Sequence, residues 1–309
     1  MSGPGKPSAF QLRLPATSAN LGPGFDAVAV ALDVFLEIEA EQSQEFSITA
    51  SGRDADRCAT VDDNLILETY KQIMRCHERV IVPLAIQMVN GIPLGMGCGS
   101  SAAARLAAIA LAMHFGEMHW DTDRVLEEAY KLEGHADNVA ACWLGGFVAA
   151  VCEGTKVQVA RIDPPAAWRA IVALPREPLS TSKARAVLPA SFPLEDVVAN
   201  LQSVAVLALA FAQGRGDLLR LAMRDRIHQT HRATMCPLLP VLLPLVGEHG
   251  ILGVALSGAG PAVLAIIDRE ESLGDASRAV QNQLVGELLI CRFSRHGACQ
   301  SIEIGRAHV

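Results

Sequence analysis

A glycine-rich segment, PLGMGCGSSAA at 93–103, separates a strand-like run at 82–90 from an Ala-rich run that ends near Phe115. Glycines let the backbone approach an anion closely, and the free N–H groups at a helix start favour negative charge. The two serines at that start could donate hydroxyls to phosphate or an oxygen to Mg²⁺. The segment therefore favours a strand–turn–helix unit that binds phosphate, with a plain glycine turn into a capped helix as the alternative.

Two other nucleotide-binding motifs do not fit this segment. A Walker loop has a Lys after its last Gly, but Gly99 is followed by a serine. A G-x-G-x-x-G dinucleotide motif needs a glycine at position 100, where this chain has Ser100. An oxidoreductase built on a dinucleotide fold is therefore disfavoured.

The length and charge of the chain limit the class of protein. At 309 residues it exceeds the roughly 100–200 residues typical of one domain, so two domains are expected. Because 50% of its residues are hydrophobic, a mostly disordered protein is excluded. A net charge of −7 argues against a nucleic-acid partner, since such proteins displace phosphate counterions with a basic surface. A locally positive pocket could still bind a small phosphorylated ligand.

Cysteine spacing and apolar segments bear on the location of the protein. None of the eight cysteines forms a C-x-x-C pair, so neither a structural zinc site nor a thioredoxin-like motif is predicted. Residues 1–14 contain no apolar core of signal-peptide length. The longest apolar stretch, at 139–152, is shorter than the roughly 18 residues of a membrane span. We predict a soluble, reduced, cytoplasmic protein with no membrane partner.

Hydrophobic periodicity and turn residues predict an α+β protein of two domains. Residues 36–41 alternate apolar and acidic side chains, which is the period of a half-buried strand. Pro164-Pro165 marks the boundary, which gives domains 1–163 and 164–309. The predicted elements of the first domain are strands at 10–14, 27–35, 35–41, 45–51, 82–90 and 145–151 and helices at 64–79, 100–115 and 121–134.

The second domain is predicted to have the element order of a ferredoxin-like split βαβ domain, with one extra helix. Its elements are strand 168–174, loop 175–195, helices 196–213 and 217–233, strands 251–257 and 262–268, helix 271–285 and strand 287–293.

Two polar segments of the first domain carry candidate functional residues. The segment 15–26 is predicted to be a turn that interrupts two strands, with Asn20 and Asp26 offering donors and acceptors. Glu133 is predicted at the C-terminal end of a helix, where the helix macrodipole disfavours a carboxylate. A charge in that position suggests a compensating cation, which is either Mg²⁺ or Lys131.

Basic side chains in the second domain are further candidates. Thr181 and Arg185 are four residues apart and share one face if that stretch is helical. Asp225, His228 and Arg232, separated by three and four residues, would also line one helix face. The guanidinium group of an arginine suits a carboxylate or a phosphate, although a residue of this kind is more often a solvated surface group.

Six segments of the chain resemble the GHMP kinase superfamily and, within it, the homoserine kinases. PLGMGCGSSAA (93–103) is similar to the superfamily's phosphate loop. LSGAGPAVLAI (256–266), by itself either a tight connection or a backbone wall against a ligand, is similar to its C-terminal glycine motif. The narrower match rests on PATSANLGPGFD (15–26), EGHADNVA (133–140), STSKARAVLP (180–189) and DRIHQTHR (225–232).

This resemblance implies both a fold and an activity. The fold would be an N-terminal domain like domain 2 of ribosomal protein S5 and a ferredoxin-like C-terminal domain, with the active site in the cleft between them. The activity would be transfer of the γ-phosphate of ATP, with Mg²⁺, to the side-chain hydroxyl of L-homoserine in threonine biosynthesis. A homodimer is also implied.

The resemblance further implies roles for individual residues. The ATP-binding set would be Pro93, Leu94, Gly95, Met96, Gly97, Cys98, Gly99, Ser100, Ser101, Ala102 and Ala103, with Asn64 near the nucleoside. Mg²⁺ would be held by Ser101 and Glu133. The substrate-binding set would be Asn20, Asp26, His135, Asp137, Asn138, Thr181, Arg185 and Arg232. The catalytic residues would be Asn138, Arg185 and Ser101.

Asn138 bears on the chemistry, because several relatives in the superfamily have an Asp that acts as a base at this position. An amide cannot accept a proton at neutral pH. The resemblance therefore implies catalysis by positioning and charge neutralisation, as a loose phosphoryl-transfer transition state allows.

The same residues disfavour two alternative functions. A mevalonate-type substrate carries a carboxylate but no amine, so Asp26 and Asp137 favour an amino acid instead. A nucleotide-binding protein without activity would have lost part of its site, whereas Ser101, Glu133 and Arg185 are all present.

Overall fold

Two β-sheets organise residues 10–300, the part of the chain that this computed structural model describes. The strands are β1 (Phe10–Asn20), β2 (Gly24–Gln42), β3 (Ser47–Gly52), β4 (Leu84–Asn90), β5 (Phe147–Glu153), β6 (Lys156–Ile162), β7 (Arg169–Pro175), β8 (Ile251–Leu256), β9 (Val263–Ile267), β10 (Gly286–Cys291) and β11 (Cys299–Gln300). The α-helices are α1 (Ala55–Cys58), α2 (Leu65–Cys76), α3 (Ser100–Phe115), α4 (Thr122–Glu133), α5 (Asp137–Leu144), α6 (Thr181–Ala186), α7 (Leu194–Gln213), α8 (Leu219–Ala222), α9 (Gln229–Arg232), α10 (Leu238–Leu242) and α11 (Leu273–Gln281). Short 3₁₀ helices cover Gly216–Leu218, Leu243–Leu245 and Glu270–Ser272.

Part of the signal-peptide prediction rests on residues 1–9, which lie outside the described residues, as do residues 301–309.

The first sheet has the order β11-β1-β2-β4-β3, and β5 joins β2 to β6. Among the strands of residues 10–300 in this sheet, only β3 and β4 pair in parallel, and the other pairs are antiparallel. Helix α3 packs against β1 and against α2, α4 and α5. All its alanines except Ala104 are buried, which allows this close packing, and the helix start is thereby fixed beside the sheet.

The second sheet has the order β10-β7-β9-β8, with every pair antiparallel. Along the chain its elements run β7, helices, β8, β9, α11 and β10, which is the predicted ferredoxin-like order. The predicted α+β class with two domains of this kind is confirmed.

The prediction of a long turn at 15–26 is wrong. β1 continues through Asn20, and the turn is confined to 21–23 before β2 begins. A polar side chain of this segment has a partner far along the chain: Thr17 donates to Asn138 Oδ1 at 2.6 Å. Such partners allow a polar sequence to remain a buried strand. The separately predicted strands 27–35 and 35–41 are one strand, β2.

The predicted helix at 217–233 is also wrong, because the chain is not helical between α8 and α9. The carboxylate of Asp225 accepts hydrogen bonds from the backbone N–H groups of Ile227 (3.0 Å), His228 (2.9 Å) and Gln229 (2.6 Å). This side chain satisfies the free N–H groups at the start of α9 and so interrupts the longer helix.

Several short elements were not predicted: α1, α5, α10 and β6. The predicted loop 175–195 contains α6 and the start of α7. Helix α5 matters most, because it places Asp137 and Asn138 in its first turn.

The predicted boundary between domains 1–163 and 164–309 stays a prediction. Pro164-Pro165 does lie between β6 and β7. The chain returns to the first sheet after β10, where Phe293 bridges to Leu32 and β11 pairs with β1.

Within residues 10–300, α7 is the one helix that is long and apolar enough to cross a membrane by length and composition alone. This helix is separate from the apolar stretch at 139–152 noted in the sequence. Its Asn200 is buried, donates to Asp225 Oδ1 at 2.8 Å and accepts from Arg226 N at 2.8 Å. These hydrogen bonds tie the middle of α7 to the segment before α9.

Candidate active site

The glycine segment leads directly into α3, and two of its glycines have no room for a side chain. Gly97 and Gly99 have φ angles of +83° and +73°. A Cβ atom would lie 2.1 Å from the carbonyl oxygen of Ser257 at Gly97 and 1.9 Å from Thr17 Oγ1 at Gly99. The loop is therefore held against its neighbours, with the free N–H groups of the α3 start facing a cavity.

Strand β1 and the residue just before β9 hold this loop. Thr17 of β1 donates its N–H to the carbonyl of Cys98 at 3.1 Å, and Ala262 donates to the carbonyl of Met96 at 3.2 Å. Burial raises the pKa of the Cys98 thiol to about 12, so this residue is an inert packing group behind the loop. The 257–262 connection thus forms a backbone wall, and its Gly258 faces the cavity.

A cavity of about 130 Å³ lies in front of the loop. It is lined by every residue of the predicted substrate set and by the two predicted metal ligands. Its lining includes Asn20, Asp26, Ser100, Ser101, Glu133, His135, Asp137, Asn138, Thr181, Arg185 and Arg232.

A second cavity, of about 410 Å³, adjoins the first. The two share Gly95, Ser100, Ser101, Leu179 and Thr181 as lining residues, so they form one continuous cleft. Residues of the predicted ATP-binding set that line either cavity are Leu94, Gly95, Gly97, Gly99, Ser100, Ser101, Ala103 and Asn64, whereas Pro93, Met96, Cys98 and Ala102 line neither. Lining residues that sequence reasoning missed include Arg57, Thr60 and Ser180.

Asn64 lies in the larger cavity, but its side chain is committed to the backbone. Its Oδ1 accepts from Ile66 N at 3.0 Å, and its Nδ2 donates to the carbonyl of Thr60 at 2.9 Å. Asn64 therefore caps α2 and shapes the cavity wall.

An ion pair between the two domains spans the smaller cavity. The guanidinium of Arg185 donates to both carboxylate oxygens of Asp26, at 2.9 and 2.6 Å. This hydrogen-bonded partner raises the pKa of Arg185 above its usual range. Asp26 has a φ of +54°, and Asn20 Oδ1 holds its backbone N–H at 3.0 Å. The carboxylate and the guanidinium predicted to bind the two charges of the substrate are thus in contact with each other.

Arg232 is buried, which sequence reasoning did not anticipate. Its Nε donates to the carbonyl of Ala184, and its terminal nitrogen lies 2.9 Å from His228 Nδ1. Because the arginine donates to Nδ1, His228 is the neutral tautomer that donates from Nε2 to Gly22 O. Burial and the nearby Arg185 lower the pKa of Arg232.

Phe25 is a site residue that the sequence analysis missed. The guanidinium carbons of Arg185 and Arg232 each lie 5.3 Å from its ring centre. Cation–π attraction of this kind holds the two guanidinium groups in place while both keep their charge. The pair forms a fixed positive wall of the cavity.

The segment after α4 forms an acidic floor. Asp137 is buried and accepts from the backbone N–H of Asn138 at 2.7 Å, and it lies 3.0 Å from His135 Nδ1. Burial alone would lower the pKa of His135, but Asp137, Glu133 and Asp26 outweigh it and raise that pKa. The Asn138 side chain accepts a hydrogen bond from Thr17.

Glu133 ends α4, as predicted, and Gly134 follows with a φ of +83°. Ser101 Oγ donates to Glu133 Oε2 at 3.0 Å. Lys131, one of the two predicted compensating cations, pairs with Glu128 instead. The cation beside Glu133 is Arg105, whose Nε lies 2.6 Å from Oε2.

These residues fit a divalent cation that is shared with a ligand. Nowhere in residues 10–300 do three His, Cys, Asp or Glu side chains cluster as a metal site. Ser101 and Glu133 supply two oxygens beside the phosphate loop, and Mg²⁺ is commonly held by one or two protein oxygens plus substrate phosphates.

Comparison with known proteins agrees with this arrangement. The GHMP kinases N terminal domain matches residues 64–146, and the GHMP kinases C terminal domain matches residues 207–286. A homoserine kinase of Solibacter usitatus is 43% identical over 261 residues, which is 84% of this chain and 86% of that one. A homoserine kinase of Deinococcus radiodurans is 38% identical over 272 residues, 88% of each chain. The crystal structure of homoserine kinase from Cytophaga hutchinsonii has the same fold, with a TM-score of 0.82 at 23% identity over 97% of this chain and 99% of that one.

Proposed function

Since the chain belongs to the homoserine kinase family of the GHMP kinases, we propose that its two adjoining cavities hold ATP and L-homoserine side by side. The protein is an ATP-dependent phosphotransferase that converts homoserine to O-phosphohomoserine, a step of threonine biosynthesis. One observation carries the placement of the substrates. The phosphate loop, an acidic floor and two arginines line the same cavity of about 130 Å³.

ATP would lie with its nucleoside in the larger cavity and its phosphates at the start of α3. The larger cavity has apolar walls such as Ile66 and Ile92, and Ser100 and Ser101 belong to both cavities. The backbone N–H groups after Gly99 would bind the phosphate oxygens.

Ser101 Oγ and Glu133 are the residues that would hold Mg²⁺. When bound, this ion neutralises charge on the phosphates. Glu133 is only 10% exposed, and its side chain reaches the cavity beside Ser101. The donor set contains only oxygens, which Mg²⁺ prefers.

Homoserine is a zwitterion, so it would replace the ion pair between Asp26 and Arg185. Its carboxylate would take the guanidinium of Arg185, with Arg232 beside it, and its ammonium would take Asp26. Asp137 adds negative charge on the same side. Asn20 and His135 would position the two aspartates, and Thr181 borders both cavities.

The reaction would not need a protein base. The homoserine hydroxyl oxygen forms a bond to the γ-phosphorus while the bond to the β,γ-bridging oxygen breaks. The hydroxyl proton then leaves to a phosphate oxygen or to water. Asn138, which accepts a hydrogen bond from Thr17, would orient the hydroxyl, and Arg185, which holds the substrate carboxylate, would set the distance of that hydroxyl from the γ-phosphate.

Replacement of Asn138 tests this base-free chemistry. We expect Asn138→Ala to lower kcat/KM for homoserine about tenfold, since one hydrogen bond of about 1–1.5 kcal/mol is lost. The pH profile between pH 6 and 9 should keep its shape. If an ionisation on the acidic limb disappeared in the variant, Asn138 would instead belong to a proton-transfer path.

A coupled ADP-release assay tests the substrate. With L-homoserine and ATP the enzyme should release ADP, and ³¹P NMR should show a phosphomonoester on the side-chain oxygen. The same assay with mevalonate should give no more than background. Turnover of mevalonate, or ATP binding without turnover of homoserine, would overturn the proposal.

The protein is also proposed to be a homodimer that associates through α7. Leu194 (77% exposed) and Leu201 (61% exposed) lie on a stripe of α7 that continues through Ala205 and Ala212. Antiparallel packing of two copies, with the two-fold axis at the level of residue 203, would set Leu201 against Ala205 and Leu194 against Ala212 of the second copy. Large residues then face small ones, which suits a two-fold helix contact. The helix has no Lys or Arg, which a membrane-surface helix usually carries.

Leu201→Glu should abolish this association, because each copy would bury an unpaired carboxylate against Ala205 of the other copy. Light scattering after size exclusion should give twice 32.8 kDa for the wild type and 32.8 kDa for the variant. Val151→Glu, at an exposed valine of β5, serves as the control and should leave the dimer intact. A wild-type mass of one chain at micromolar concentration would contradict the dimer.

We also propose a cytoplasmic location, because the apolar helix α7 is held within the fold. The buried hydrogen bonds of Asn200 bind α7 to the rest of the fold. Cell fractionation should recover the enzyme in the soluble fraction, and recovery with membranes would contradict this location.

A further inference from the structure

Glu133 occupies an electrostatically unfavourable position. It is the last residue of α4, where the carbonyl groups of the helix disfavour a carboxylate, and its side chain is 10% exposed. A carboxylate so placed needs a compensating positive charge. Arg105 supplies it at 2.6 Å, while Lys131 on the same helix turns to Glu128.

The two protein contacts of Glu133 fall on one oxygen. Ser101 Oγ and Arg105 Nε both approach Oε2, at 3.0 and 2.6 Å. Within the described residues, Oε1 has no hydrogen-bond partner. Glu133 lines the cavity in front of the phosphate loop, whereas Arg105 lines neither cavity of the cleft. Arg105 therefore approaches the carboxylate from behind.

The position of Arg105 follows from the helix that also carries Ser101. The two residues are four apart on α3, so their side chains lie on the same face. This face meets the end of α4, where Glu133 lies. One helix thus presents both a hydroxyl and a guanidinium to the same carboxylate oxygen.

We infer that Arg105 is a positioning residue whose charge beside Oε2 holds the Glu133 carboxylate and keeps Oε1 turned toward the cleft for the divalent cation. This inference rests on the metal role proposed for Glu133. Partners behind a metal-ligating carboxylate orient it and raise metal affinity.

A competing role for Arg105 would have a different geometry. An arginine that replaced the metal would span both carboxylate oxygens with two parallel N–H groups. Arg105 makes no such fork: its Nε lies 2.6 Å from Oε2 as an ion pair without hydrogen-bond geometry, and within the described residues it donates no hydrogen bond to Oε1. This geometry favours support of the metal ligand over competition with the metal.

Metal binding to the enzyme, measured directly, tests this inference. Mn²⁺ is titrated in the presence of a non-hydrolysable ATP analogue, and the EPR signal of free Mn²⁺ gives the dissociation constant. Arg105→Gln should raise that constant about tenfold or more. Arg105→Lys keeps the charge but changes the position of the nitrogen. Its dissociation constant should fall between those of the wild type and Arg105→Gln. An unchanged or lower constant in Arg105→Gln would overturn the inference.

Arg124→Gln is the matched control. Arg124 lies on α4 and pairs with Glu127 and Glu128, so its replacement removes ion pairs from the same helix away from the cleft. The control should leave the Mn²⁺ constant unchanged. Thermal melting without metal shows whether each variant folds, and equal metal affinity with a lowered Tm in Arg105→Gln would mean a merely structural role and would overturn the inference.

Glu133→Gln separates failure of the inference from failure of the proposed function. If Glu133→Gln weakens Mn²⁺ binding and Arg105→Gln does not, the inference alone is wrong. If Glu133→Gln leaves Mn²⁺ binding unchanged, the proposed metal role is wrong and the inference about Arg105 is overturned with it.

Discussion

Glu133→Gln is expected to lower kcat about 10³-fold, because loss of a metal-held charge costs several kcal/mol in phosphoryl transfer and 1.36 kcal/mol is a tenfold rate change. The amide keeps the size of the side chain and can still accept a hydrogen bond from Ser101. It carries no charge, so it neither binds Mg²⁺ well nor pairs with Arg105. Steady-state ADP release with saturating homoserine and ATP measures the effect.

Glu128→Gln controls for the loss of a carboxylate on the same helix. Glu128 pairs with Arg124 and Lys131 and has no place in the cleft. Its kcat should stay within about twofold of the wild type, because Glu128 lines neither cavity of the cleft. A kcat within threefold of the wild type in Glu133→Gln would mean that Glu133 does not serve the reaction.

Asp26→Asn is expected to raise KM for homoserine about 10²- to 10³-fold, because the substrate ammonium loses a partly buried counter-charge worth about 3–4 kcal/mol. KM for ATP should change less than about threefold, since Asp26 lines the smaller cavity only. Initial rates with each substrate varied in turn separate the two constants.

Asp33→Asn is the corresponding control on the same strand. Asp33 accepts a backbone hydrogen bond from Arg292 and is exposed, away from the cleft. Its homoserine KM should match the wild type. Equal rises in the KM values of ATP and homoserine in Asp26→Asn would point to a general collapse of the cleft instead.

The glycine segment shows how much of the site the sequence could predict. Glycine and serine spacing alone predicted a phosphate-binding turn at a helix start, because positive φ angles and free N–H groups are local properties. Gly97 and Gly99 have such φ angles in the structure. The element order of the second domain was predictable for the same reason, since its strands follow local periodicity.

Long-range partners explain most of the errors. The 15–20 segment has the composition of a turn, but Thr17 bonds to Asn138, and β1 continues. The helix at 217–233 has a continuous helical pattern, but the side chain of Asp225 binds the backbone of the next turn and interrupts it. Neither partner could be identified from local sequence.

The charges of the site were predicted better than their pairing. Asp26 and Arg185 were both expected around the substrate, yet without ligand they contact each other across the domains. Glu133 was expected to need a cation, and the choice between Mg²⁺ and Lys131 did not include Arg105. Contacts between α3 and α4 decide that pairing, and local spacing does not reveal them.

Substrate analogues that lack one charge provide the sharpest comparison, because Asp26 and Arg185 would each lose one partner. ADP release is measured with L-homoserine, 4-hydroxybutanoate (no amine) and 3-amino-1-propanol (no carboxylate). With a charge-assisted hydrogen bond worth about 1.5–3 kcal/mol, kcat/KM for homoserine should exceed that of either analogue by about 10². Equal kcat/KM for homoserine and both analogues would contradict a cleft that binds the two charges of an amino acid beside the phosphates of ATP.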